Sequence, residues 1–203
     1  RCRVIFGSGV AAGALWLALA ADPPAEPTAL DRSLSCLERH QRPDGTWPTH
    51  VRWGSDGEWT ELHSVFTTAQ VLMDLATLPA DPRIDALAAP ALDALEADRN
   101  DDGTWSFYGR ADRIDARPDR AWDITPDADD TARAALALRA WDRPVSPATL
   151  DALAGQVRAD GVVETWFAPP HLQKLTDTNR PDPVVAAVVA RALAGTGRDE
   201  EVS

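Results

Sequence analysis

Apolar residues recur along this chain at the three-to-four-residue spacing of helices that bury one face. Leu30, Leu34 and Leu37 make one stripe, and Leu62, Val65, Phe66, Ala69, Leu72 and Ala76 the next. Ile84, Leu87, Ala88, Ala91, Leu92 and Leu95 follow. Ala132, Ala135 and Leu136, then Leu150, Leu153 and Val157, then Val184, Val185, Val188, Val189 and Ala192 complete the series. Almost nothing alternates at the two-residue period of a half-buried strand. The last stripe is Val-rich enough for a strand, but its length and the Gly195 that follows favour a helix. The expectation is an all-α protein.

Breakers separate these segments. "ADPPAEP", "LPADP", "RPVSP" and "RPDP" supply proline at or near helix starts. Ser146 before Pro147 and Asp81 before Pro82 read as an N-cap followed by the first helical position. The longer gaps, about 42–60 and 100–124, are rich in Gly, Asp and Trp. Loops of that length in a compact domain are usually functional or structurally specialised. Ahead of all this, "RCRVIFGSGVAAGALWLALAADPP" carries an apolar stretch from Val4 to Ala21. It reads as a signal peptide or as a buried helix of small residues. Ala- and Gly-rich segments recur later in the chain, which favours the buried helix.

The loops repeat. "LERHQRPDGTWP" (37–48) and "LEADRNDDGTWS" (95–106) align without gaps, pairing Leu37 with Leu95, Gln41 with Arg99, Asp44 with Asp102, Gly45 with Gly103 and Trp47 with Trp105. "LAGQVRADGVVETWF" is a degraded third copy. A unit of helix, loop and helix recurring at fixed spacing is a helical hairpin repeat. The polar residue ends the outer helix and can reach back to its free carbonyls. Asp-Gly makes the turn, with glycine supplying positive φ. The Trp folds over the preceding helix end and fastens neighbouring repeats, so Trp47 and Trp105 read as staples and not as ligands.

Gln41-x-x-x-Gly45-x-Trp47, with Leu37 before it, resembles the QW motif of the squalene–hopene cyclase and class II terpene cyclase superfamily. The resemblance implies an α/α toroid, a ring of inner helices surrounded by outer ones. Helices starting near 4, 61, 126 and 182 would be inner, and those near 28, 83 and 147 outer. That is a partial α/α barrel within a single domain over 1–203. Neighbouring residues, a partner domain or chain, or a second copy would complete it, unless it is a reduced form.

The chain has 203 residues and a net charge of −12. A surface so negative repels phosphate backbones, so nucleic acid is not an expected partner. Lys174 is the only lysine, which leaves no P-loop and no spare amine for Schiff-base chemistry. Cys2 and Cys36 show no CxxC spacing; they read as two small buried hydrophobes, with one disulfide as the alternative. A cytoplasmic location is expected, with peripheral membrane contact for an oily substrate.

The stretch "ITPDADDTARAALAL" (124–138) has two readings. In the first, Asp127 is an N-cap and Asp129 and Asp130 complement the positive end of the helix dipole. In the second, one carboxyl faces a cavity while its neighbours bond locally, since Asp129 and Asp130 point about 100° apart on a helix. Asp127-x-Asp129-Asp130-Thr131-Ala132 matches the DxDDTA signature of class II terpene cyclases. Carried over, Asp129 is the general acid that protonates a double bond or epoxide of a linear isoprenoid, and Asp127 and Asp130 are its hydrogen-bonding support. His63 opens an inner helix and reads either as the family-like partner that would bond a carboxylic acid from across the ring or as a partly exposed helix-start residue; His171 is a weaker candidate. An alkene is a very poor base, so such an acid must stay protonated in a dry site.

The carbocation that follows needs aromatic walls. Trp53, Trp59, Phe66, Phe107, Tyr108, Trp122, Trp166 and Phe167 are the candidate substrate-binding residues. No DDxxD segment of the Mg²⁺-ionising class is present, and the zinc-binding Asp/Cys/His set of the related protein prenyltransferases is missing. No cofactor is therefore expected beyond Mg²⁺ if the substrate is a diphosphate. Arg110, Arg113, Arg117 and Arg120 lie in a loop interleaved with Asp112, Asp115 and Asp119, a pattern usual for a solvated segment. The competing function is a non-catalytic helical-repeat platform for lipid or protein, in which the aspartates are caps, or a subunit that completes its barrel with a partner chain.

Overall fold

In the computed structural model the described residues are 26–52, 56–110, 125–167 and 181–198. The expected helix over 4–21, Trp53, Trp122, His171, Cys2 and the Arg113–Arg120 segment lie outside them. Among the described residues there are six α-helices and one two-stranded hairpin. They run α1 (Ala29–His40), β1 (Pro48–Arg52), β2 (Trp59–His63), α2 (Val65–Leu75), α3 (Pro82–Ala97), α4 (Ala128–Ala140), α5 (Pro147–Ala154) and α6 (Pro183–Leu193).

The helix starts follow the cap signals. Asp81 accepts from the Arg83 N–H, Ser146 from the Thr149 N–H and Asp182 from the Val184 N–H, each with proline in the first helical turn. Thr28 and Asp31 close a capping box at α1. After α6, Gly195 turns the chain at φ +70°.

The toroid-like layering is visible in the packing. α2 packs on α4 and α4 on α6, while α1 packs on α3 and α5 touches α4 and α6. The core runs between these layers through Leu34, Leu72, Leu95, Trp105, Leu138 and Leu153, each at most 1% exposed.

The repeat loops are the fasteners. The indole Nε1 of Trp47 donates to the Leu37 carbonyl at 3.0 Å, and that of Trp105 to the Leu95 carbonyl at 2.8 Å. Each bond lands on a carbonyl in the last turn of an outer helix; that of Leu37 also accepts the Gln41 N–H. Asp44 accepts from the N–H and hydroxyl of Thr46, and Asp102 from those of Thr104. Gly45 and Gly103 both sit at φ +87°. A Cβ on Gly45 would stand 2.5 Å from the Pro90 carbonyl carbon of α3, and one on Gly103 would stand 2.7 Å from the Thr149 nitrogen of α5. Both glycines therefore serve a positive φ and the docking of the next outer helix. In the third copy Val163 stands where the Trp would be, and Gly161 has nothing within 4 Å of its Cβ direction.

Three expectations need correction. The gap read as loop contains the β1–β2 hairpin, paired antiparallel from Pro48↔His63 to Arg52↔Trp59. His63 closes β2 instead of opening a helix, and α2 begins only after its Ser64 N-cap. The Gln41 side chain reaches outward, donating to the carbonyls of Gly45 and of Leu87 on α3 at 2.8 Å each, so it ties one repeat to the next. In addition, Cys36 is a free thiol exposed on α1, not a buried hydrophobe.

Candidate active site

Two inner helices begin in the same way. Ser64 caps α2 by accepting from the Thr67 N–H at 3.1 Å, and Asp127 caps α4 by accepting from the Asp130 N–H at 2.7 Å. The Trp47 N–H donates to the Thr68 hydroxyl, and the Trp105 N–H to that of Thr131. Ser64 forms a β-bridge with Tyr108, and Asp127 forms one with Trp166. The Val65 N–H donates to the Phe107 carbonyl, and the Ala128 N–H to the Thr165 carbonyl. Ser64, Phe66, Thr67, Thr68 and Gln70 of α2 thus correspond to Asp127, Asp129, Asp130, Thr131 and Arg133 of α4. One helix start is built from hydroxyls and a ring; the other is built from three carboxylates.

Those carboxylates have different surroundings. Asp127 is buried as the cap, and burial pushes its carboxyl up to about 6; the Asp130 side chain and then its N–H restrain the rise, and the Asp129 charge adds to it. Asp130 is 1% exposed, and neither of its carboxyl oxygens has a hydrogen-bond partner. Burial first, then the Asp127 charge and the contact with the Asp127 side chain, pushes it up to about 10, which favours the neutral carboxylic acid. Asp129 is different again. Its side chain is 22% exposed and accepts from the Arg133 Nε at 2.9 Å, one helical turn on. Arg133 also donates from Nη1 to Gln70 Oε1 at 2.8 Å, and its guanidinium lies 4.6 Å from the centre of the Phe66 ring. The driest of the three carboxyls is therefore Asp130, while Asp129 is the partly exposed one, paired with Arg133.

The aromatic candidates divide between two straps. Phe66 stacks on Phe107 at 5.8 Å between centroids, and Tyr108 meets Phe107 edge-on at 4.9 Å. Burial raises the Tyr108 hydroxyl above its ordinary value. Trp166 and Phe167 are half-buried and are held against Pro126–Ala128 by the second strap, in which the Phe167 N–H donates to the Pro126 carbonyl. These five residues flank the start of α4 or the residue packed beside it. Trp59 stands apart in β2, 67% exposed.

His63 Nε2 lies 2.9 Å from Asp98 Oδ2, with both side chains buried. Gly109 closes over the ring so tightly that a Cβ there would meet Nδ1 at 2.2 Å. The Gly109 N–H donates to the His63 carbonyl, and the Arg110 N–H donates to Asp98 Oδ1. His63 pins the first strap to the end of α3. The sequence reading missed Arg133, Gln70 and Asp98. The Asp129–Arg133 pair was there to be read as an i,i+4 ion pair.

Among the described residues no three His, Cys, Asp or Glu side chains are grouped to hold a metal ion. No helix among them is long and apolar enough to cross a membrane.

The family model of the squalene-hopene cyclase C-terminal domain matches residues 10–168. The chain belongs to the squalene-hopene cyclase C-terminal domain family. No curated protein matches it. Among solved structures it is similar to the apo type II terpene cyclase MstE from Scytonema, with 20% identity and a TM-score of 0.59, over 85% of this chain and 48% of that one. A variant of that cyclase in complex with geranylgeranyl dihydroxybenzoate, its substrate, matches at 20% identity and TM-score 0.57 over the same shares. A protein from Actinoplanes matches at 22% identity and TM-score 0.58, over 84% of this chain and 48% of that one. The chain of this squalene-hopene cyclase family member spans about half the length of the structures it resembles. At these identities the likeness is one of fold.

Proposed function

We propose that this chain, as one toroid domain over 1–203, is the acid-bearing part of a class II terpene cyclase that protonates and cyclises a linear isoprenoid. The observation that carries the reading is the contrast between the two helix starts. α2 is capped by Ser64 and Thr67 alone, whereas α4 spends three carboxylates, one of them buried without a partner. Capping does not require that expense. Membership of the family and the prenylated substrate of MstE support an isoprenoid as the substrate class, here taken as a diphosphate or a squalene-like triterpene.

Asp129 is the proposed general acid, because it is the partly exposed carboxyl of the three. Asp127 and Asp130 lie beneath it, and their burial keeps that floor poor in water. Substrate hydrocarbon covers Asp129 and separates it from Arg133, and the acid must hold its proton in that loaded state. The proton passes to a terminal alkene carbon as the π pair forms the new C–H bond. The cation left on the adjacent carbon is attacked by the next double bond, and loss of a proton ends the sequence. Phe66, Phe107, Tyr108, Trp166 and Phe167 offer ring faces to the cation. Class II terpene cyclases are driven by protonation and need no cofactor for this step, so none is assigned.

A second reading is favoured by the Asp129–Arg133 pair itself. In it the aspartates cap and pair, and the toroid is a binding platform or a subunit that completes its barrel with a partner. Incubation with farnesyl diphosphate, geranylgeranyl diphosphate and squalene separates the two. Cyclic product from the native protein, lost in a folded Asp129→Asn variant, supports the cyclase; no cyclic product from any of the three supports the platform.

A further inference from the structure

A crevice of about 240 Å³ opens between the three inner helices. Gln70 of α2, Thr77 just after it, Arg133 and Leu136 of α4, and Val188 and Arg191 of α6 line it. Its size decides what it can hold. Pockets that enclose a whole drug-sized ligand run from about 300 to 1,000 Å³, so this one suits part of a ligand and not a complete isoprenoid.

Its chemistry is that of a polar head. Two guanidiniums reach the crevice in a chain whose net charge is −12. Arg191 is exposed and makes no hydrogen bond or ion pair with the described residues. Arg133 spends Nε on Asp129 and Nη1 on Gln70, and these contacts leave Nη2 uncommitted. The wall carboxylate Asp74 accepts from Gln70 Nε2 at 3.1 Å. Leu136 and Val188 supply an apolar flank from which a hydrocarbon chain can leave. Oxyanions are recognised by planar guanidinium donors of this kind.

The crevice also has a place relative to the acid. Asp129, Arg133 and Leu136 lie on one face of α4, and Leu136 is about 10 Å along the axis from Asp129 at 1.5 Å per residue.

We propose that this crevice is a head-group subsite for an oxyanion-bearing isoprenoid, carboxylate or diphosphate, held by Arg133 and Arg191. The proposal rests on the cyclase reading for its isoprenoid tail, and its test does not need turnover. Binding to the native protein is measured by calorimetry for geranylgeranyl diphosphate, the matching C20 carboxylate, geranylgeraniol and inorganic pyrophosphate. At least one oxyanion ligand is expected to bind tenfold or more tightly than the alcohol, and the two oxyanion arms identify which head is preferred. Arg191→Gln is expected to lose at least tenfold for that ligand with the alcohol unchanged, and Arg191→Lys to recover part of the loss. Arg191 is exposed, and a helical circular-dichroism spectrum confirms that each variant is folded. Equal binding of alcohol and oxyanions, or an Arg191→Gln variant indistinguishable from native, overturns the subsite. Binding through Arg191 without any cyclic product keeps the subsite and removes the cyclase. Cyclisation that ignores Arg191 does the reverse.

Discussion

Asp130→Asn is predicted to make the folded chain less sensitive to rising pH. Asp130 is 1% exposed and its carboxyl is pushed up to about 10 by burial and the Asp127 charge. In the unfolded chain an aspartate titrates near 3.9. Between about pH 4 and 10 the unfolded state has therefore released this proton while the folded state keeps it. The folded value is raised, so the effect on stability is absent below the unfolded value and grows as pH climbs. Each unit of pH in that window removes about 1.4 kcal/mol from the folded state. Asparagine cannot ionise and has nearly the same shape. From pH 5 to pH 7 the native protein should lose about 2.7 kcal/mol relative to the variant. That is about 5–10 °C in Tm for a chain of this size. The new amide N–H is buried and costs about 1–3 kcal/mol if it stays unbonded, but it does so at both pH values and cancels in the comparison. Asp127, pushed up to about 6 and in contact with the Asp130 side chain, titrates in the same window, so the comparison is made with Asp127→Asn in both proteins, which keeps an N-cap. Urea unfolding of both proteins at the two pH values, followed by circular dichroism, gives the number. A native-minus-variant difference that changes by less than about 0.5 kcal/mol between pH 5 and 7 would refute a neutral Asp130.

Replacing the α4 start by that of α2, as Asp127→Ser with Asp130→Thr, should preserve the helix and raise stability at pH 7 while abolishing any cyclisation; unfolding curves and product analysis read both effects. Gly45→Ala should destabilise by several kcal/mol and Gly161→Ala by only about 1 kcal/mol, because both have positive φ but only Gly45 faces a backbone at 2.5 Å; comparative urea midpoints test the ordering. Trp105→Phe should cost about 1–3 kcal/mol by removing the Nε1 bond to the Leu95 carbonyl, which is buried and then unpaired; thermal unfolding checks it.

What the sequence made legible was whatever is encoded locally. The starts of α3 and α5 follow from Asp81-Pro82 and Ser146-Pro147, and the Trp staples from a short repeat whose turn needs Asp-Gly. The β1–β2 hairpin was missed because "PTHVR" and "WTELH" carry no clean alternation, and their pairing is fixed only by where the ends are held. The His63–Asp98 pair joins residues far apart in sequence, so no spacing announces it. Within the acidic cluster the cap role of Asp127 was legible. Which of Asp129 and Asp130 would be buried was not, because that depends on α2 and the 165–167 strap packing around the helix start.

The internal repeat acts as a control for its own acidic copy. Where α2 and α4 share a cap, a Trp-to-Thr bond and a strap, the shared parts account for folding. The parts they do not share need another account. Phe66, Thr67 and Gln70 of one copy stand where Asp129, Asp130 and Arg133 stand in the other. On the inner face this turns a ring and an amide into an ion pair, and beneath it a hydroxyl into a buried acid. A purely structural drift would have to tolerate an unpartnered carboxyl in the interior, which costs stability at every pH above its unfolded titration. Arg133, bound at once to Asp129, to Gln70 and over Phe66, shows that the two copies also meet side chain to side chain. The acidic helix start is therefore built on one repeat and held by the other. That is the arrangement expected if the stability lost at Asp130 is retained for chemistry at the face where Asp129 emerges.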